Sequence, residues 1–131
     1  MSENHFSDAV LDGGLNALAG SGRRLDICQT RPTTYAAATG SASRANKTGL
    51  TIAAPSAASP NGRKVTIPAF EDGTITTDTA PDEPAFWALT DPGSSTLLMT
   101  GPVAAPQVLY TANPWRWTAL DVVAPGVVAV P

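Results

Sequence analysis

Apolar runs in this chain are short, and each is fenced by Pro, Gly, Asn, Asp or Ser. Lys64-Val65-Thr66-Ile67, Phe86-Trp87-Ala88-Leu89, Thr96-Leu97-Leu98-Met99 and Trp115-Arg116-Trp117-Thr118 follow this rule across the last two thirds of the sequence. A run of that length makes a strand, and the intervening Pro and Gly make turns. The rhythm predicts a mainly β fold: an antiparallel β-sandwich or small barrel with one short N-terminal helix. At 131 residues the chain forms one domain, 1–131, large enough to bury a real core.

The helix is expected over residues 7–20. Leu11, Leu15 and Leu18 recur at i, i+4 and i+7, one face of a 3.6-residue period. Ser7 suits the N-cap, Asp8 and Asp12 suit the positive end of the helix dipole, and Gly20 suits the C-terminal stop. Phe6 can pack on Leu11 as a staple. Gly13-Gly14 costs roughly 1 kcal/mol per Gly relative to Ala. Such a helix needs packing on the body or on another subunit.

Strands are expected at 24–29, with Leu25 and Ile27 inward, and around Leu50 and Ile52. Residues 34–44 read as a loop with a short turn of helix, and 56–62 as a link holding the turn-forming Asn61-Gly62. Val65, Ile67 and Ala69 share a face of the next strand, which Glu71-Asp72-Gly73 stops, and 74–77 returns as the other arm of a hairpin. Residues 85–90 are apolar on both faces, as in a central strand. The turn Asp91-Pro92-Gly93-Ser94-Ser95 sends 97–100 back antiparallel to it. Further strands are expected at 107–112 and 115–123. In the latter Trp115 and Trp117 share a face while Leu120 and Val122 take the opposite parity, so the strand bulges or crosses between environments. The apolar tail 125–131 is expected to dock on this subunit or a neighbour.

Catalytic chemistry finds little material. His5 is the only histidine and Cys28 the only cysteine, which excludes an intrachain disulfide and leaves no ligand set for zinc. A nucleophile triad needs a His held rigidly by a third group. Cys28, in a strand, is expected to be buried and inert. Asp78, Asp82 and Glu83, with Trp87, Trp115 and Trp117 as sugar platforms, would be the parts of a glycosidase. Beside Gly and Pro such carboxylates are ordinary turn residues, and strand Trp belongs to core or interface. The 78–83 loop offers oxygens to calcium without the spacing of a calcium loop. Lys47-Thr48 follows Asn46 where a phosphate loop requires Gly, and Gly20-Ser21-Gly22 lacks the context of a dinucleotide fingerprint. No enzyme activity, cofactor or metal is expected.

Net charge is −3, and Arg23-Arg24 and Arg63-Lys64 are isolated pairs, so no nucleic-acid partner is expected. Neither a secretory signal nor a membrane span is evident, and the chain is expected to be made in a cytoplasm. Charged residues are 15%, against an average of about 25%. Low charge with apolar termini and three Trp favours packing against copies of itself or a large scaffold over a free monomer. The candidate interface residues are Phe6, Leu11, Leu15, Leu18, Trp115, Trp117, Val127, Val128 and Val130.

Several motifs occur in a suggestive order. Val10-Leu11-Asp12-Gly13-Gly14-Leu15 leads to Leu25-Asp26-Ile27-Cys28, Pro32-Thr33-Thr34-Tyr35 and Asn46-Lys47-Thr48-Gly49. Ser59-Pro60-Asn61-Gly62-Arg63-Lys64-Val65, Asp72-Gly73-Thr74-Ile75, Trp87-Ala88-Leu89-Thr90-Asp91 and Leu97-Leu98-Met99-Thr100-Gly101 follow. Over roughly residues 7–123 this resembles small virion structural proteins of tailed bacteriophages. The resemblance implies a repeated component of the virion with a β-sandwich body, above all a capsid decoration or cement protein. Its partners would be the major capsid protein or other virion proteins and copies of itself, with a trimer as the expected oligomer. The alternatives are a tail or tail-tip component and a carbohydrate- or host-surface-binding module.

Overall fold

The computed structural model describes residues 3–5, 7–59, 61–124 and 127–129. Eleven strands and two helices occur among them. These are β1 (Glu3–His5), α1 (Asp8–Leu15), β2 (Gly20–Cys28), α2 (Tyr35–Thr39), β3 (Ser43–Ile52), β4 (Ser56–Ala57) and β5 (Arg63–Ile67). Then follow β6 (Phe70–Ile75), β7 (Phe86–Asp91), β8 (Thr96–Pro102), β9 (Pro114–Trp117), β10 (Leu120–Ala124) and β11 (Val127–Ala129). A six-stranded antiparallel sheet runs β8-β7-β2-β3-β6-β9, and a three-stranded one runs β10-β5-β4. The arrangement is an open sandwich and not a closed barrel. Period-2 alternation explains how the sheets meet. Leu25, Ile27, Trp87 and Leu89 from the large sheet and Val65 and Ile67 from the small one form the main core.

The other face of the large sheet is covered by α2. Thr34 caps this helix by accepting from Ala37 N at 3.1 Å. Ala38 and Ala42 then pack on Cys28 and Ala88, because small side chains let the helix lie close. This cover buries Asp26 completely, between the strand partners Asn46 and Ala88. Arg24 meets it bidentately, Nε to Oδ1 at 2.8 Å and Nη2 to Oδ2 at 2.9 Å, and the Ser43 hydroxyl donates to Oδ2. The bond to Asp26 raises the Arg24 pKa and holds the guanidinium charged.

Several expectations change. The helix covers Asp8–Leu15 and ends at Asn16, not Gly20. Its Ser7 cap is as expected, with the hydroxyl accepting from Val10 N. Arg23 takes over beyond the end, donating to the carbonyls of Leu18 at 3.1 Å and Ala19 at 2.6 Å. Gly20 begins β2 at φ +136, and a Cβ there would lie 2.8 Å from Arg23 Nη2. Phe6 and its staple lie outside the described residues.

Glu71-Asp72-Gly73 does not stop a strand. β6 runs through it, in a different sheet from β5, so 65–77 is a crossing between sheets and not a hairpin. Gly73 is needed for close approach: a Cβ would stand 2.9 Å from Trp115 Cε3 and 3.0 Å from Phe70 Cε1. The expected strand at 107–112 is an irregular strap. Pro106 and Pro114 bracket it, and neither has an N–H to give to a ladder. Its backbone is satisfied by side chains instead: Leu109 N donates to Thr79 Oγ1 at 2.8 Å and Thr111 N to Asp78 Oδ1 at 2.6 Å. The run 115–123 is two strands that change sheets at Thr118-Ala119, which accounts for the parity switch.

Candidate interaction surfaces

The candidate interface residues fall into three places. Leu15 and Leu18 are 5% and 8% exposed and belong to the main core. Leu11 is half-buried. The leucine face of α1 is therefore spent on this chain's own body, and the helix presents Val10, 62% exposed, on its outside. Arg63 ties α1 to β5 through Asp12, Nε to Oδ1 at 2.9 Å. Periodicity marks the buried face of a helix, so it passed over Val10.

Trp115 is 4% exposed, with Phe70 edge-on at 5.0 Å and Trp117 edge-on at 6.1 Å. Trp117 in turn meets Trp87 at 6.2 Å. Trp117 is half-buried and its indole nitrogen has no hydrogen-bond partner among the described residues. Beside this aromatic chain lies a groove of about 720 Å3, walled by the strap at Val103 and Leu109 and by Pro102, Pro114 and Trp117. Its lining is mainly apolar, a character suited to packing contacts.

β11 pairs antiparallel with β1, setting Glu3 opposite Ala129, Asn4 opposite Val128 and His5 opposite Val127. The tail thus docks on this chain's own residues 3–5. Val130 lies outside the described residues. The ribbon joins neither of the two sheets.

Asp78 caps the strap, and in the adjoining turn Asp82 N donates to Thr79 O at 2.7 Å. No cluster of three or more His, Cys, Asp and Glu that could hold a metal occurs among the described residues. No helix among them is long and apolar enough to cross a membrane. The isolated basic pairs are absorbed locally: Arg23 by Asp91 at 3.3 Å, Arg24 by Asp26, Arg63 by Asp12 and Lys64 by Asp121 at 3.2 Å. Thr66 and Lys64 lower the Asp121 pKa by bonding its carboxylate.

Cys28 is fully buried, and burial followed by the Asp26 charge pushes its thiol up to about 12. The thiol should resist disulfide reagents in the native protein and react once the chain unfolds. Its raised pKa also has a defined sign. Between pH 9 and 12 the unfolded chain loses the thiol proton and the native chain keeps it, so alkali favours unfolding. By pH about 10.5 this contributes a loss of about 2 kcal/mol that Cys28→Ala should abolish. Urea unfolding of both proteins across that range is the check, and parallel pH profiles would refute it.

No protein-family model, curated protein or solved structure matches the chain.

Proposed function

We propose that this chain is a non-enzymatic virion structural protein, a decoration or cement protein that stabilises a phage head through protein–protein contacts. The motif order set out above supports the reading, as does a rigid sandwich whose charges are largely paired internally. The observation that carries it is the terminal ribbon. Residues 3–5 and 127–129 pair with each other and with no other described strand, and the Val127-Val128-Ala129 sequence is apolar. A lone two-stranded ribbon is marginal in water. Its outer edges offer backbone groups to a further strand. A capsid surface covering a few hundred Å2 of it would contribute several kcal/mol at roughly 25 cal/mol per Å2, before association costs. Repetition over a shell multiplies that term.

The test is binding of purified protein to separated heads and tails of the parent phage. Saturable binding to heads, at a fixed ratio to the major capsid protein, is the expected result. Removing residues 125–131 should weaken it while leaving unfolding of the body unchanged. Binding to tails alone would overturn the head assignment, and binding to neither would overturn the virion reading.

Burial counts against two of the three sugar platforms: Trp87 and Trp115 are each 4% exposed, while Trp117, half-buried beside the groove, is the ring that the glycan-binding alternative would use. Tryptophan emission should stay unchanged on titration with mono- and oligosaccharides. A saturable shift would restore the glycan-binding alternative.

A further inference from the structure

Three bonds in the chain join Asn or Asp to Gly: Asp12-Gly13, Asn61-Gly62 and Asp72-Gly73. Each pair has the parts of a succinimide, an acyl carbon on one side chain and a following nitrogen that no Cβ crowds. Closure also needs a backbone in which that carbon reaches that nitrogen, and ψ in neither a helix nor a strand allows it. The fold locks two of the three. Asp12-Gly13 lies inside α1, and Arg63 Nε holds the Asp12 carboxylate at 2.9 Å. Asp72-Gly73 lies inside β6, where Gly73 abuts Trp115 and Lys47 Nζ meets the Asp72 carboxylate at 3.0 Å. A carboxylate held ionised by a cation is also a poor acyl group.

Asn61-Gly62 is under neither restraint. It lies between β4 and β5, in neither helix nor strand, and Asn61 is exposed. Ser56 pairs with Lys64 and Ala57 with Arg63, and Ala58 N donates to Gly62 O at 3.0 Å, so the pair sits at the tip of a hairpin. Gly62 takes φ +88, in the left-handed region that glycine enters freely. We propose that Asn61 is a site of spontaneous covalent modification: Gly62 N attacks Asn61 Cγ in the native protein, and the residue ends as aspartate and isoaspartate. In the first step the N–Cγ bond forms and the Cγ–Nδ2 bond breaks. The proton of the Gly62 N–H leaves with the amide nitrogen as ammonia. Water then opens the ring, at Cγ to aspartate or at the backbone carbonyl to isoaspartate. Nothing is oxidised or reduced. Either product adds a negative charge beside Arg63 and Lys64. Isoaspartate also adds a backbone atom to the loop that the Ala58–Gly62 bond closes, which should unpair the two-residue β4. Arg63 still ties β5 to Asp12 and to Pro55 O at 3.2 Å, so the body stays folded. The inference does not depend on the virion reading.

The experiment incubates the full chain, native and in denaturing urea, in warm and mildly alkaline buffer, and maps its peptides by mass spectrometry. Loss of the amide adds about 1 Da, and fragmentation tells isoaspartate from aspartate. The native chain should gain this mass in the peptide holding Asn61, as a mixture of both isomers. The gain should quicken as pH rises, because the attacking nitrogen must shed its proton. Asp12 and Asp72 should stay unisomerised in the native chain and isomerise in urea. Asn61→Gln, whose side chain is one methylene longer, should stay folded by circular dichroism and remove the gain. An Asn61 amide that survives in the native chain would overturn the proposal. So would aspartate without isoaspartate, which is direct hydrolysis, or equal isomerisation at positions 12 and 72 in the native chain.

Discussion

Replacing Arg24 with Met should cost about 3–5 kcal/mol of folding stability at neutral pH. The change leaves the Asp26 carboxylate 0% exposed, with only the Ser43 hydroxyl as a side-chain donor. A buried charge without its counter-ion is what makes breaking such a pair expensive. The partner deletion is milder. Asp26→Ala strands a guanidinium whose side chain is already 21% exposed and keeps a contact to Thr39 O at 3.3 Å, so it can turn towards water. An expected loss of about 2 kcal/mol follows, near the cost of leaving a half-solvated polar group unpaired. Urea unfolding of wild type and both variants at neutral pH reads the difference. Equal losses in the two variants would mean that water reaches Asp26.

Gly101→Ala should lose about 3 kcal/mol, the upper end of the usual overpacking range. Gly101 stands opposite Trp87 on the neighbouring strand, and a Cβ there would lie 2.5 Å from Cε2 and Cζ2 of that indole. The ring has little room to retreat, since Trp87 is 4% exposed and already edge-on to Trp117. The strain should be relieved by shrinking the ring: in a double-mutant cycle with Trp87→Leu, the added methyl should cost much less than in wild type. Chemical denaturation followed by far-UV dichroism measures all four proteins. A loss under about 1 kcal/mol for the single variant would show that the indole moves aside at little cost.

Local rules settled the parts of this protein that depend on neighbours in the chain. Ser7 caps the first helix because its hydroxyl reaches Val10 N. The 91–95 turn makes β7 and β8 a hairpin because Asp91 Oδ1 accepts from Gly93 N at 3.1 Å. Trp115 and Trp117 share a face because strand period is two. The parity switch after them marked the crossing at 118–119. Those same rules named Leu15, Leu18 and Trp115 as interface candidates, and the structure instead buries all three in this chain's own core.

Tertiary structure decided the rest, and in each case the cause is a contact between residues far apart in sequence. Asp26 in an alternating strand reads as a solvent-facing charge; α2, with its small Ala residues, turns that face into an interior. Gly73 reads as a turn residue because glycine allows one; its use is to admit Trp115, some forty positions on. Residues 107–112 have strand-like character, yet their backbone bonds go to Asp78 and Thr79 and not to a ladder. The apolar residues after 126 announce a wish for cover, and their pairing with residues 3–5 follows only when the body brings the two segments together. A sequence pattern reports the average environment a residue prefers. Which partner supplies that environment is a property of the assembled chain, because long-range contacts are formed only after the chain has closed on itself.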